Sequence, residues 1–299
     1  VKKIAVLKGG RSAEREVSLT TGKEVAQGLR QRGYEVVEID AAGQLCSELL
    51  ACAPDIVFIA LHGRWGEDGS VQGLLEMMQL PYTGSGVVSS AVAIDKVISK
   101  TIFVANEVPT PAFQVLAPEC GAQEITLAPP YVIKPPREGS SIGITIVTDK
   151  SQAPAAIEDA RQYDGELLLE NFIAGRELTV AVMDGRLLPI IEIEPESGVY
   201  DYKSKYTPGS TRYTCPAKLD GEVAAKIGKI ALKAYRVLDC AGAARVDFML
   251  DGHGHPWVLE VNTIPGMTPT SLLPKAAAAA GMDFGELVEA MVKSASLKI

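Results

Sequence analysis

A chain of 299 residues with 47% hydrophobic content is long enough to bury more than one core, and it points to two or three compact units. Its formal net charge of -8 and pI near 5.1 argue against DNA, RNA or an anionic membrane as the main partner, because all three would repel it. Five cysteines (Cys46, Cys52, Cys120, Cys215, Cys240) occur without C-x-x-C pairs or nearby histidine clusters, which excludes an obvious zinc site or redox dithiol and fits reduced thiols. The opening "VKKIAVLKGG" is too short an apolar run for a signal peptide, and no stretch approaches the ~20 apolar residues of a membrane span, so a soluble cytoplasmic protein is expected.

Short apolar runs at 3–8, 35–40 and 55–61 alternate with helical spacing such as Val17, Thr21, Val25 and Leu29. That pattern predicts βα units and a small parallel sheet flanked by helices, an α/β unit over 1–95. The connector "NEVPTPAF" carries two closely spaced prolines and marks the entry to a new unit. From 131 to 184 strand-like runs ("YVIKP", "GITIVT", "ELLLEN", "LTVAVM") dominate around one helix near 151–163, an α+β pattern assigned to 96–175 and then to 176–299. The segment 197–216 is polar, rich in tyrosine and lysine and without either period, which predicts a long ordered loop over a site. Val223, Ile227, Ile230, Ala234 and Val237 then space a helix of about five turns. Paired strands at 243–250 and 256–262 follow, and two helices close the chain.

The strongest chemical signal is "AARVDFMLDGHGHPWVLEVNTIPGM". Arg245 and Asp247 alternate on one strand, Glu260 and Asn262 on the next, so each pair faces one side. A hairpin around "DGHGHP" sets Asp247 opposite Glu260 and Arg245 opposite Asn262, gathering three oxygen donors. Magnesium takes such hard ligands and often uses only one or two carboxylates. The bland alternative is a solvated hairpin face, yet solvated faces do not usually alternate Asp, Glu and Asn beside otherwise apolar strands.

A second signal is "VIKPPREGSSIGI", in which Gly139, Ser140, Ser141 and Gly143 form a turn whose backbone N–H groups can cradle phosphate, with Lys134 at its entry. Alone, such a turn is more often a plain hairpin. Neither G-x-x-x-x-G-K-[ST] nor G-x-G-x-x-G occurs, which disfavours P-loop and ordinary dinucleotide-binding folds.

In order along the chain, K-P-x-x-E-G-S-S-x-G, L-L-E-N-F, R-V-D-F and E-V-N-T-x-P-G-M-T resemble the ATP-grasp superfamily. With "KGGRSAEREVS", "ALHGRWGEDGSVQG", "PYTGSGV", "DKVISK", "YDYKSKY" and "NTIPGMTPTSLLP", the chain resembles the D-alanine–D-alanine ligase family from residue 3 to about 285. The resemblance implies an N-terminal βα domain followed by a two-subdomain ATP-grasp fold. It implies that Lys96, Lys134, Ser141 and Lys205 meet the phosphates of ATP, that Glu170 and Glu177 hold adenine and ribose, and that Asp247, Glu260 and Asn262 hold Mg2+, two ions in all, with Mn2+ as a substitute. Arg245 would steady the transferring phosphoryl group.

Glu14 and His62 would surround a first D-alanine, Gly266 would face the developing oxyanion, and Ser271 and Leu272 would take the carboxylate of a second D-alanine. Tyr206 would link Glu14 to Ser140 from a lid over the site, and the Lys205–Tyr206 pair favours an amine acceptor. A homodimer is implied, with no nucleic-acid or membrane partner. Taken one at a time, His62 also suits a structural histidine and Glu14 a first-turn acid. A ligase with D-lactate or D-serine as acceptor, and a nucleotide-binding protein without chemistry, remain as alternatives; acceptor-dependent turnover separates them.

Overall fold

The computed structural model describes residues 2–196 and 209–299. Lys205, Tyr206 and most of segment 197–216 therefore lie outside the described residues. Among the described residues no helix is long and apolar enough to cross a membrane.

The N-terminal unit runs β1 (Lys3–Lys8), α1 (Arg15–Gln31), β2 (Glu35–Asp40), α2 (Leu45–Cys52), β3 (Ile56–Ile59) and α3 (Ser70–Met77). Its sheet is parallel in the order β2-β1-β3, as the alternation of apolar runs and helical spacing predicts. Thr21, Val25 and Leu29 fall on the buried face of α1. Gly22 lets that helix close on β1, for a Cβ there would stand 2.4 Å from Lys8 Cβ.

Two short helices follow, α4 (Val87–Ile94) and α5 (Lys96–Ala105), separated by Asp95, whose side chain caps α5 by accepting from the Val97 and Ile98 amides. A second sheet of β4 (Phe113–Leu116), β5 (Tyr131–Lys134), β6 (Thr145–Val147) and β7 (Leu167–Asn171) is antiparallel in the order β4-β7-β5-β6. Its Ile133, Leu167 and Leu169 pack on α6 (Ala153–Arg161). By strand alternation Lys134, Leu168 and Glu170 point to the opposite face.

The third sheet holds β8 (Gly175–Met183), β9 (Arg186–Leu187), β10 (Ile191–Pro195), β11 (Thr211–Thr214), β12 (Ala243–Asp251) and β13 (Pro256–Asn262) in the order β11-β10-β8-β12-β13, with β9 on β8. Val246, Phe248 and Leu250 bury against α7 (Gly221–Val237) and against Ala93 and Phe103 of α4 and α5. Arg245, Asp247 and Met249 are thereby turned to the side away from α7.

The expectation of one continuous loop over 197–216 is corrected at its end. Thr211–Thr214 is strand β11, paired antiparallel with β10 through Ile193↔Tyr213 and Glu194↔Arg212. Four residues are too few to show a period, and the edge pairing with β10 supplies the order that the local sequence lacks.

Two closing helices, α8 (Leu272–Ala279) and α9 (Phe284–Lys293), return the chain to its beginning. Leu273, Ala276, Leu287 and Val288 share one core with Ile4, Val6, Val25 and Leu29 of the first unit and with Ala181 and Ile191 of the third sheet. Gly28 of α1 makes room for Phe284 and Val288, whose side chains lie 3.2–3.3 Å from where a Cβ would stand. The C-terminal helices are thus the mortar between the first and third sheets. Leu273→Ala, at a fully buried position in this shared core, is expected to lower the free energy of unfolding by about 2–5 kcal/mol. Urea denaturation checks it, and a loss under about 1 kcal/mol would show the joint to be loosely packed.

Candidate active site

A cavity of about 580 Å³ opens where the three sheets meet, a volume within the range of small-ligand sites. Its walls come from the start of α1 (Glu14, Val17), the loop after β3 (His62, Gly63, Glu67) and the start of α5 (Lys96). The glycine-rich turn after β5 adds Gly139 and Ser140, and the hairpin of β12 and β13 adds Arg245, Glu260 and Asn262. Gly266, Ser271 and Leu272 close it from the approach to α8. Eleven of the candidate site residues named from the sequence therefore line one cavity. Lys134, Ser141, Glu170, Glu177 and Asp247 do not line it and stand behind or beside it.

The carboxylate hairpin has the register read from the sequence, Arg245↔Asn262 and Asp247↔Glu260, but it reaches that register through an irregularity. From Leu250↔Pro256 to Phe248↔Val258 the ladder is regular, and continuing it would set Asp247 against Leu259. A bulge absorbs Leu259 and brings Glu260 opposite Asp247. Each acid already has a cation. Arg245 forks onto Asp247 through Nε and Nη2, both at 2.8 Å, and Thr179 Oγ1 donates to Asp247 Oδ1 at 2.6 Å. Lys96 Nζ lies 3.0 Å from Glu260 Oε2 and donates to the Glu138 carbonyl at 2.8 Å, tying the glycine-rich turn to β13.

No group of three or more His, Cys, Asp or Glu converges as a metal cage among the described residues. The candidate set is smaller and harder, two carboxylates and the Asn262 amide on one sheet face. It fits magnesium, which fills its other positions with water and phosphate oxygens.

The glycine-rich turn joins antiparallel β5 and β6, so it is a hairpin connection as well as a cradle. Ser140 and Ser141 hold positive φ of 51° and 59°, a left-handed backbone unusual for serine. This bend carries Ser140 across to the first unit, where its Oγ donates to Glu14 Oε1 at 2.5 Å. Glu14 stands at the N-cap position of α1 without capping it, so its carboxylate is spent on the site and not on the helix. The loop beneath is braced: Ser12 Oγ donates to the His62 carbonyl at 2.7 Å, and Arg15 forks onto Asp40.

His62 lies in the loop just past β3, 6% exposed, with Nε2 3.1 Å from Thr21 Oγ1. Burial draws its pKa down to about 4, with a hydrogen bond to the Ile264 backbone opposing and Arg245 assisting, so the ring is neutral at pH 7. Gly266 lies close under Ser271, whose Oγ would stand 2.9 Å from a Cβ placed there and would have to move. Ser271 precedes the first turn of α8, and its Oγ accepts from the Thr268 amide at 3.0 Å.

Two residues escaped the sequence reading. Glu67, inside the quoted "HGRWGEDGS" run, accepts from the Gly63 amide at 2.6 Å and lines the cavity. Burial, then the nearby Glu14, push its carboxyl well above the ordinary value of 4.5, against the Gly63 amide and Arg245. Lys100 is fully buried one turn beyond Lys96, 2.8 Å from Glu170 Oε1. The i, i+4 spacing of the two lysines in "DKVISK" was the available signal.

A parallel βα unit, followed by two antiparallel sheets with a lysine-bearing turn and a carboxylate hairpin at their junction, is the architecture of the ATP-grasp ligases. The family model described as "D-ala D-ala ligase C-terminus" matches residues 107–293, and that described as "D-ala D-ala ligase N-terminus" matches residues 46–85. A D-alanine–D-alanine ligase from Syntrophotalea carbinolica is 52% identical over 99% of this chain and 97% of its own length. One from Citrifermentans bemidjiense is 50% identical over 100% and 97%. The crystal structure of the Bacillus anthracis enzyme superposes with a TM-score of 0.86 at 38% identity, covering 98% of this chain and 97% of that one. Its complex with ATP superposes at 0.84 and 35% identity over the same shares. The chain belongs to the D-alanine–D-alanine ligase family.

Because Glu67 binds its proton more tightly in the folded protein, its contribution to stability is complete below pH 4.5 and is lost as pH rises through the raised value. Glu67→Gln should therefore flatten the fall in Tm between about pH 5 and pH 9 in ligand-free protein. Melting curves of the two proteins check it, and parallel slopes would remove Glu67 as the source.

Proposed function

We propose that the protein joins two D-alanines into D-alanyl-D-alanine, using ATP through an acyl phosphate and releasing ADP and phosphate. The observation that carries this reading is the single cavity bounded at once by Glu14–Ser140, by Lys96 and by the Arg245, Glu260 and Asn262 face. A carboxylate is a poor acylating agent. In the first step an oxygen of the first D-alanine carboxylate takes the γ-phosphoryl group of ATP, and ADP leaves. In the second, the amine of the other D-alanine attacks that acyl carbon, the C–O bond to phosphate breaks, and the amine proton is lost.

Lys96 and Lys134 bring positive charge to the phosphates, with the Ser141 backbone in the cradle after β5. Asp247, Glu260 and Asn262 would hold Mg2+, which when bound neutralises phosphate charge. Arg245 and Lys96 compensate these acids in the present structure. Both are then well placed to turn toward the transferring group, whose spread charge needs preorganised cations more than covalent help. The end of β7 with Glu170, together with Glu177, borders adenine and ribose.

On the amino-acid side Glu14 faces the first ammonium, and Ser140 fixes the Glu14 carboxylate. Neutral His62 packs beside it, unable to repel that ammonium. The Gly266 amide meets the oxyanion, and the start of α8 at Ser271 and Leu272 receives the second carboxylate, as helix N-termini favour anions. Lys205 and Tyr206, outside the described residues, complete the reading from the sequence as a cover that excludes water from the acyl phosphate. A cytoplasmic homodimer belongs to the same reading. The exposed Met77 and Val88, on neighbouring helices α3 and α4, offer apolar surface for the pairing.

The reaction is tested by ATP-dependent phosphate release with magnesium and D-alanine, L-alanine, or D-alanine plus D-lactate, with products identified by mass. Dipeptide formed from D-alanine alone is the expected result, and no release from folded, ATP-binding protein would overturn it. Asp247→Ala and Glu260→Ala should each reduce turnover by about 100-fold or more with the circular dichroism spectrum unchanged. Near wild-type activity in either would remove that residue from the metal set.

A further inference from the structure

Glu170 ends the buried part of β7, 3% exposed, on the face of the second sheet turned away from α6. A carboxylate this deep requires positive charge close by. Two lysines supply it: Lys100 Nζ lies 2.8 Å from Oε1, and Lys134 Nζ lies 2.8 Å from Oε2. One anion between two cations leaves the group with an excess positive charge.

The two lysines differ in their other commitments. Lys100 is wholly enclosed; its Nζ also donates to Thr110 Oγ1 at 2.5 Å, and Thr110 donates to the Val258 carbonyl of β13 at 2.8 Å. Lys134 has Glu170 as its partner and sits at the entry to the glycine-rich turn. We propose that Lys100 is a positioning residue, the standing counter-ion of Glu170 that leaves Lys134 available to the triphosphate of bound ATP. This rests on the nucleotide reading given above.

Phosphate of a bound nucleotide competes with Glu170 for Lys134. With Lys100 in place, Lys134 can be drawn to the phosphate while Glu170 keeps a cation at 2.8 Å. Without Lys100, the same movement would strand a buried carboxylate, so Glu170 would hold Lys134 back and nucleotide would bind weakly. The effect belongs to ATP binding and should leave D-alanine affinity untouched. Burial draws the Lys100 ammonium down to about 8, with Glu170 resisting and Lys134 adding to the fall. Glu260 also favours the charged form, so an assay at neutral pH finds Lys100 charged.

The test compares Lys100→Met, Lys134→Met, Glu170→Gln and the double variant Lys100→Met/Glu170→Gln by direct ATP titration and by steady-state kinetics. Lys100→Met should raise the KM and Kd for ATP about tenfold or more, with kcat and the KM for D-alanine within about threefold of wild type. In the Glu170→Gln background, which reads any adenine contact of Glu170 by itself, adding Lys100→Met should cost less than about threefold in ATP affinity, because no buried carboxylate then holds Lys134 back, whereas mere loss of packing at Lys100 would cost the same in both backgrounds. If Lys100→Met does not fold, the double variant set against Glu170→Gln decides alone. A difference between those two within about threefold supports the proposal, and a further loss of about tenfold in the double variant overturns it. An unchanged ATP Kd in Lys100→Met also overturns it. Unchanged ATP binding in Lys134→Met would instead sink the nucleotide reading, and this inference with it.

Discussion

The junction of the second and third sheets depends on buried lysines from one short helix. Lys96 and Lys100, one turn apart on α5, reach in series across the gap: Lys96 joins the Glu138 carbonyl to Glu260, and Lys100 joins Glu170 to the Thr110–Val258 link. Two sheets facing each other with acids inside would repel and expose their edges. Interposed ammonium groups hold them at a fixed separation while leaving room between for a ligand. A buried ion pair gives little net stability, because desolvation offsets most of its attraction, but breaking one is expensive. That asymmetry makes such pairs better at fixing geometry than at adding stability, and the site draws its geometry from them.

The same logic runs through the hairpin of β12 and β13. Its acids are held by Arg245, Lys96 and Thr179, Glu260 at the cavity wall and Asp247 beside it. The bulge at Leu259 shifts a whole side of the ladder by one residue and sets Glu260 on the cavity face opposite Asp247. A one-residue slip otherwise turns every following side chain to the wrong face, so the irregularity is a condition of the site and not a flaw in the sheet.

The first unit contributes through a contact that crosses the molecule. Glu14 and Ser140 are 126 residues apart and meet at 2.5 Å. Their meeting requires the parallel sheet to be held in place; the shared core of α1, α8 and α9 fixes it to the third sheet, and Lys96 ties the third sheet to the glycine-rich turn that carries Ser140. Residues that approach a ligand on the amino-acid side, Glu14, His62 and Ser271, thus come from distant parts of the chain that this core binds together.

The sequence by itself determined the elements, since apolar spacing and strand alternation are local properties. It settled the parallel βα unit, the long amphipathic α7 and the facing pairs Arg245/Asn262 and Asp247/Glu260, along with the family through motifs in order. The tertiary structure decided what sequence distance hides. It made a strand of Thr211–Thr214, because edge pairing with β10 is not written in four residues. It turned Glu170 onto two lysines, and it buried Glu67 near Glu14, so that burial first and that neighbour second raise its pKa. It also routed the hairpin register through a bulge that no periodicity announces. The physical reason is the same in each case: a charge or an edge strand takes its state from partners brought near by folding, whereas a helix or a strand face takes its pattern from its own neighbours in the chain.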